Sequence, residues 1–563
     1  MDRKSCSYDE QDFYIERKGR IFSMGKSLIM CAKESQHLYD SLIVAAKING
    51  EIHDLQTSYA EADEIRFVTR DSPHGWTIYR RSVLFLLIAA VNQLEKRAEV
   101  IAKFTVNKGL YCEIKMPNAA IEPAFIEKIE AQMREMIAAN LPIIKRSISR
   151  EDAIDLFRRQ GRDGKVQLLS ALSNETISIY TCEDCFDYLY GPMLYETGEL
   201  GLFELDYEPD GVLIRTPDEM TQGHIRQRIN QPKFGSILAE SKEWADILEC
   251  RFISDLNRMN KEHQIGELIR ISEGLQEKRI AQIADHIAAN QENIRIILIA
   301  GPSSSGKTSF AQRLRIQLRV NGLRPVMISL DDYFLNREDT PLNEKGEYDY
   351  ESLDALDTKL FNENMLNLLA GREVQIPRYN FITGKREWKE DAFLAIQKDQ
   401  PIIIEGIHGL NEYLTKAIPR INKYKIYISA LTQLNIDAHN RIPTTEVRFL
   451  RRLVRDYQFR GAKALKSIRQ WPDVRAGEEK YIFPFQEDAD ALFNSALIYE
   501  IGVLKAYAVP LLSEIKQMEE GYTEARLILR FLQYVDSIDN TDDIPNNSIL
   551  REFIGKSVFF PQA

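Results

Sequence analysis

Ile294-Arg-Ile-Ile-Leu-Ile-Ala-Gly-Pro-Ser-Ser-Ser-Gly-Lys-Thr308 is the stretch that decides the reading of this chain. A β-branched run leads directly into Gly301-x-x-x-x-Gly306-Lys307-Thr308, and a helical pattern follows from Ser309 to about Val320, stopped by Asn321-Gly322. Strand, glycine loop and helix in that order are the context that identifies a phosphate-binding loop. Glycine lets the backbone curl so that its N–H groups face an anion, and the new helix adds its positive end. The spacing predicts that Lys307 reaches the terminal phosphates of a nucleoside triphosphate and that the Thr308 hydroxyl holds Mg²⁺. Gly301, Pro302, Ser303, Ser304, Ser305, Gly306, Lys307, Thr308 and Ser309 are therefore the candidate nucleotide-binding residues.

Downstream, strands alternate with helices. Pro325-Val-Met-Ile-Ser-Leu-Asp331-Asp332-Tyr333 reads as a second strand ending in two acids. In doubly wound sheets ligands gather at the C-terminal strand ends, where a carboxylate accepts a hydroxyl proton or binds Mg²⁺. A pair of solvated turn acids is the plain alternative. Pro401-Ile-Ile-Ile-Glu405-Gly406 is a third buried strand with an acid at its end. Lys423-Tyr-Lys-Ile-Tyr-Ile-Ser429 reads as the next strand, and its charged start places it nearer the sheet edge. Thr444-Thr-Glu446 opens a basic helix on which Arg448, Arg452 and Arg455 share a face. A solvated basic helix or a nucleic-acid surface competes with a lid that clamps phosphate oxygens. Trp471 to Glu479 and Phe483-Pro-Phe485 read as a loop rich in turn residues, Asp488 to Tyr507 as a helix. The tail from Gly521 carries one amphipathic helix and an Asp/Asn-rich loop without evident chemistry.

At 563 residues the chain exceeds one core, and two to four domains are expected. Hydrophobic content of 44% and charged content of 28% describe an ordinary soluble globular protein. A net charge of −11 excludes a nucleic-acid coat as the role of the whole chain. Six scattered cysteines fit a reducing, cytoplasmic setting. Met1-Asp-Arg-Lys-Ser-Cys6 lacks a signal-peptide core, and no run is long enough for a membrane partner.

Before the loop, Ser41 to Gly50 reads as a helix or strand ending in an Asn-Gly turn. Glu51 to Leu55 and Glu64 to Thr69 are short strands. An apolar helix around Val83–Leu94, a charged helix from about Glu122 to Ala139, another starting at Ser149, and a strand from Thr176 to Tyr180 follow. Cys182-x-x-Cys185 is the one metal-like feature. No second Cys/His pair accompanies it, so two cysteines packed near a turn are favoured over zinc. From about Gln231 to Asn290 the pattern is helical, with Trp244, Ile247, Leu248, Phe252, Leu256 and Met259 on one face. That face suits a connector packed on the core or a partner helix.

Two resemblances are visible. Val44-Ala-Ala-Lys-Ile-Asn-Gly-Glu51, Gly109-Leu-Tyr-Cys-Glu-Ile114 and Gly191-Pro192 resemble the N-terminal half of threonyl-tRNA synthetases, a TGS domain followed by an editing-type domain. That family's editing domain carries histidines and a cysteine where this chain has Arg81, Phe85, Leu189 and Met193. The resemblance therefore implies no hydrolytic editing. The second rests on Gly301–Thr308, Ser329-Leu-Asp-Asp-Tyr-Phe334, Asp354-Ala-Leu-Asp357, Ile376-Pro-Arg-Tyr-Asn-Phe381, Ile404-Glu-Gly406 and Arg451-Arg-Leu-Val-Arg-Asp456. Their order and spacing resemble the uridine kinase / phosphoribulokinase family.

The resemblance implies an α/β fold: a P-loop kinase with a parallel sheet flanked by helices, preceded by α+β TGS-like and synthetase editing-like domains. Expected segments are 1–72 TGS-like, 73–230 editing-like, 231–290 connector, 291–520 kinase, and 521–563 C-terminal helix and tail. It implies ATP and Mg²⁺ as cofactors, with Asp331 and Lys307 as catalytic groups. Arg452 and Arg455 join the nucleotide-binding set. Asp331, Glu351, Tyr379, Arg386 and Arg452 are the implied substrate-binding residues, and Thr308, Asp331 and Glu405 the implied metal-binding ones. Glu351, Gly384 and Ala462 depart from the uridine-kinase pattern, so uridine itself does not follow. The implied partner is a small-molecule acceptor, a nucleoside first. RNA or a regulatory ligand at the N-terminal half and a homo-oligomer are both compatible with the sequence. The rival reading, a TGS-containing regulator or RNA-associated NTPase, lacks the Asn-Lys-x-Asp reader: Asn422-Lys-Tyr-Lys425 ends without the aspartate.

Overall fold

The computed structural model describes residues 27–560 apart from 61, 118–119, 222, 344–345 and 381–382. Met1 to Cys6 and Phe381 thus lie outside the described residues.

The N-terminal half builds three small sheets around one long helix. After α1 (Leu28–Ser35), strands β1 (Ile43–Ile48), β2 (Glu51–His53) and β3 (Ile65–Thr69) form an antiparallel sheet in the order β2-β1-β3. The ambiguous Ser41–Gly50 stretch is thus a strand closed by an Asn49-Gly50 turn with both residues left-handed. Helix α2 (Pro73–Leu94) starts where the Ser72 hydroxyl accepts the Gly75 N–H at 3.1 Å, with Pro73 in its first turn. Its buried face, from Trp76 to Val91, packs with β4 (Glu99–Val106), β5 (Gly109–Lys115) and α3 (Pro123–Ala138). Then come β6 (Ile144–Ser149), α4 (Arg150–Arg159), α5 (Asp163–Ala171), β7 (Thr176–Cys182), β8 (Cys185–Asp187), β9 (Glu204–Glu208) and β10 (Gly211–Arg215). Sheets β4-β5-β10-β9 and β6-β7-β8 are both antiparallel. Cys182 and Cys185 face each other across the β7–β8 turn. Burial pushes their thiols up to about 11 and about 12.

Helices α6 (Pro232–Ile247), α7 (Ile253–Lys261) and α8 (Ile265–Ala289) lead to the second half. Helix α8 lies against α9 (Lys307–Val320), where the buried Arg313 guanidinium meets Glu277 at 2.6 Å and Glu273 at 3.4 Å.

That half is organised by β11 (Ile296–Ala300), β12 (Val326–Ser329), β17 (Ile402–Glu405), β18 (Lys423–Ser429) and β19 (Ala491–Asn494), in the order β12-β17-β11-β18-β19. Every pairing is parallel. Helices cover both faces of such a sheet, so its central strand reads as a continuous apolar run, and all five residues of β11 are buried. Between β12 and β17 lie α10 (Thr358–Leu369) and two short hairpins, β13 (Val374–Gln375) with β16 (Phe393–Leu394) and β14 (Arg378–Asn380) with β15 (Lys385–Glu387). After β18 come α11 (Thr444–Arg460) and α12 (Ala464–Tyr481). After β19 come α13 (Glu500–Ser513), α14 (Tyr522–Leu532) and the short α15 (Arg551–Ile554). No described helix is long and apolar enough to cross a membrane.

Two expectations are corrected and one is qualified. Strand β18 lies nearer the edge than β11, next to the edge strand β19, yet all its residues are buried. Its buried Lys423 and Lys425 each reach Glu412 at 2.6 Å, which satisfies the charges that suggested exposure. The edge is β19, within the stretch expected to be helical from Asp488. Trp471 to Glu479 is helical despite Pro472, because α12 is held by packing of Trp471 against Phe449 (5.6 Å between ring centroids) and under Arg448.

Candidate active site

The loop between β11 and α9 has the geometry that its glycines predict. Ser304 (φ 58°) and Gly306 (φ 80°) are left-handed, the alternation that turns successive N–H groups towards one point. A Cβ on Gly301 would stand 2.0 Å from the Ile428 carbonyl oxygen, so only glycine lets the loop cross β18. Lys307 Nζ donates to the carbonyl oxygens of Gly301 (2.9 Å) and Pro302 (3.1 Å). Burial lowers its pKa, against the opposing pull of Glu405 and Asp331. Thr308 lies in the first turn of α9.

The strand ends converge on this loop. Glu405 closes β17, flanked in register by Ile299 of β11 and Ser329 of β12, and its Oε1 accepts the Ser329 hydroxyl at 3.1 Å. Asp331 follows in the turn after β12. It is exposed, yet desolvation by the surrounding protein raises its pKa against the pull of Lys307. Burial, then the Asp331 charge, pushes Glu405 up to about 7. Burial, then Glu478, does the same to Glu351. Two carboxyls crowded beside one ammonium, both raised, form a donor set that a divalent cation would relieve.

The arginines of α11 divide their work. Arg452 Nη1 donates to the Ser303 hydroxyl at 3.1 Å, and its Nε lies 3.3 Å from Asp456. Arg455 pairs with Asp456 at 2.8 Å and, among the described residues, not with the loop. Tyr379 is buried 5.5 Å from Phe334, centroid to centroid. Arg386 is held by Asp357 (3.0 Å) and the Phe334 carbonyl oxygen (3.2 Å). It braces the β14–β15 hairpin and, among the described residues, is not bonded to Asp331 or Glu405.

The deepest contacts were not legible in the sequence. Glu478, fully buried on α12, accepts the Ser303 N–H at 2.9 Å and pairs with Arg448, which also donates to the Ser303 carbonyl oxygen at 3.1 Å. Arg451 binds Glu500 at 2.6 Å and the Ser495 carbonyl oxygen at 2.8 Å. Glu552 of α15 accepts both the N–H (3.2 Å) and the hydroxyl (2.8 Å) of Ser309. His408, just past β17, is buried, and its pKa is lowered by that burial to about 4. Glu478 stood in a stretch read as loop, and Glu552 in a tail read as inert; only the acids themselves offered a signal.

A parallel five-stranded sheet, a glycine loop after its central strand and acids at the two adjoining strand ends define a P-loop kinase fold. Residues 296–500 match the Phosphoribulokinase / Uridine kinase family. This kinase-family region contains the loop, both strand-end acids and the α11 arginines, while Glu552 lies beyond it. A solved structure described as a "Possible Uridine Kinase from Bacillus stearothermophilus" is 17% identical, covering 38% of this chain and 98% of its own, with a TM-score of 0.24.

The N-terminal part resembles a different family. The threonine–tRNA ligase of Pelobacter propionicus is 32% identical over 200 residues, 36% of this chain and 30% of that protein. That of Syntrophotalea carbinolica is 37% identical over 163 residues, 29% of this chain and 26% of the relative. The chain spans about a third of the length of these relatives or less. Phe85, Leu189 and Met193, where the sequence departs from the editing pattern, are buried apolar side chains.

Proposed function

We propose that the chain is an ATP-dependent kinase that transfers the γ-phosphoryl group to a hydroxyl of a small molecule, most naturally the 5′-hydroxyl of a nucleoside. The observation that carries this reading is the meeting of Asp331, Glu405 and Lys307 at one rim of the sheet. Asp331 accepts the proton of the attacking hydroxyl; its raised pKa suits a general base. Lys307 leaves the carbonyl oxygens of Gly301 and Pro302 to neutralise charge on the moving group, and Arg452 steadies the loop from α11. Glu351 and Tyr379 bound the acceptor space. Mg²⁺, when bound, screens the phosphate oxygens; Thr308, Glu405 and Asp331 are the groups to hold it. Rate then comes from positioning and fixed charge, with little covalent work for the protein. The segment boundaries at 72, 230, 290 and 520, and a ligand-sensing role for the N-terminal half, belong to the same proposal.

A panel of nucleosides and other hydroxyl acceptors, read by ADP release, tests it. Acceptor-dependent turnover supports it. Nucleotide hydrolysis that ignores every acceptor supports the rival, a TGS-containing nucleotide-binding regulator. That rival draws on one observation: carboxylates of the chain itself, Glu478 and Glu552, already satisfy loop N–H groups.

A further inference from the structure

A cavity of about 690 Å³ lies where the N-terminal half meets the start of α11, and no residue of the phosphate loop lines it. Its size is that of a small-molecule site. Most of its wall charges are balanced. Asp218 pairs with Arg226 at 3.1 Å, Glu219 with Arg80 at 4.0 Å, and Glu479 with both Lys108 and Arg226 at 3.2 Å.

Two guanidiniums are not balanced. Arg81, on α2, donates to the Pro192 carbonyl oxygen at 2.8 Å and lies over the Tyr190 ring. Arg441, in the segment before α11, donates to the Thr105 hydroxyl at 2.7 Å, and its Nε is buried without a hydrogen-bond partner. Neither forms an ion pair with a carboxylate among the described residues. Burial depresses both, Arg441 to about 10. Both side chains are half-buried; a partly desolvated cation without a counter-charge is costly, and an anion in the cavity supplies one. Glu446 is the wall acid without an ion pair among the described residues. Burial pushes it up to about 7, so near neutrality a substantial share of it is protonated and able to donate to an anion, a share that grows as pH falls. Phe104, Leu110, Leu431 and Phe531 complete an apolar wall.

We propose that this cavity binds a small organic anion, an apolar body whose one carboxylate or phosphate group is met by an unpaired wall guanidinium, Arg81 or Arg441. Arg448 lines the same cavity and holds the Ser303 carbonyl oxygen of the phosphate loop, which places the occupant next to the anchor of the catalytic cradle. The inference does not depend on the kinase reading.

The probe is 8-anilinonaphthalene-1-sulfonate, titrated into the full chain and read by fluorescence. One saturable site is expected. The uncharged N-phenyl-1-naphthylamine, with nearly the same body, should bind about tenfold more weakly, the scale of one charge-assisted contact. Arg81→Met or Arg441→Met, whichever removes the anchoring guanidinium, should weaken the sulfonate by about tenfold on the same grounds, and a loss in neither folded variant overturns the proposal. A control substitution at the exposed Arg146 should leave it nearly unchanged. Displacement by benzoate, against displacement by phenyl phosphate, distinguishes a carboxylate from a phosphate ligand. Absence of a saturable site, equal affinity for the neutral dye, or displacement by neither competitor overturns the proposal. The dye comparison uses the unaltered chain and holds even where a methionine variant fails to fold.

Discussion

Glu552 and Ser309 are 243 residues apart and joined by two hydrogen bonds, one to the backbone N–H and one to the hydroxyl, at the positive end of α9. A carboxylate thereby uses donors that the loop would offer to a phosphate. Glu552→Gln removes the charge and keeps the shape. The variant should bind a fluorescent ATP analogue about tenfold more tightly, as one charge-assisted bond is withdrawn from competition. Unchanged affinity in an equilibrium titration would show that the tail and the nucleotide do not compete.

Asp331→Asn tests the base. Acceptor-dependent turnover should fall by about 10²–10⁴-fold, the usual scale for a positioned proton acceptor, while nucleotide affinity stays close to that of the parent. Retained turnover would remove Asp331 from that role.

Arg451→Met tests the floor beneath the loop. The guanidinium is fully buried and is the partner of the equally buried Glu500. Breaking such a pair costs about 3–5 kcal/mol, because the remaining charge stays uncompensated. Urea unfolding should show a loss of that size; a change under about 1 kcal/mol is what an exposed pair gives.

The nucleotide-free protein should lose stability as pH rises towards 8. Burial raises Glu351, Glu405 and Glu446 from 4.5 to about 7. A carboxyl raised in the folded state contributes stability that is complete below its unfolded value and lost as pH climbs through the folded one. Asp187 acts in the opposite sense. Burial pushes it up, but His439 and then Lys165 outweigh that and hold it far below its ordinary 3.8, so its contribution is lost only in strong acid. Thermal scans should show a lower midpoint at pH 8 than at pH 5.5, and Glu446→Gln should narrow the gap. An equal midpoint at both values contradicts the assignment.

Local pattern carried the kinase sheet far. The run before Gly301, the acids at 331 and 405 and the helix after Lys307 all follow from period, glycine and capping chemistry acting within a few residues. What escaped depended on distant partners. That Lys423 and Lys425 are buried beside the edge strand escaped because Glu412, which pairs with them, is not a neighbour in period. Strand β19 is four residues long and runs almost at once into a helix, too short for alternation to declare itself. Arg448 and Arg451 share a helix with Arg452, but which of them is buried was decided by Glu478 and Glu500 on other elements. Nothing local to residue 552 announces that it touches the phosphate loop.

The C-terminal segment has a second attachment. The Thr523 hydroxyl donates to the Gly50 carbonyl oxygen at 2.7 Å, and Arg526 reaches Glu51 at 2.8 Å, both on the turn and strand of the first small sheet. The same stretch of chain that ends at Ser309 therefore begins by gripping the opposite half. Two modules of separate ancestry have been stitched by a shared thread. Neither can be swapped for a homologue, nor cut away cleanly, without refitting that thread at its other end.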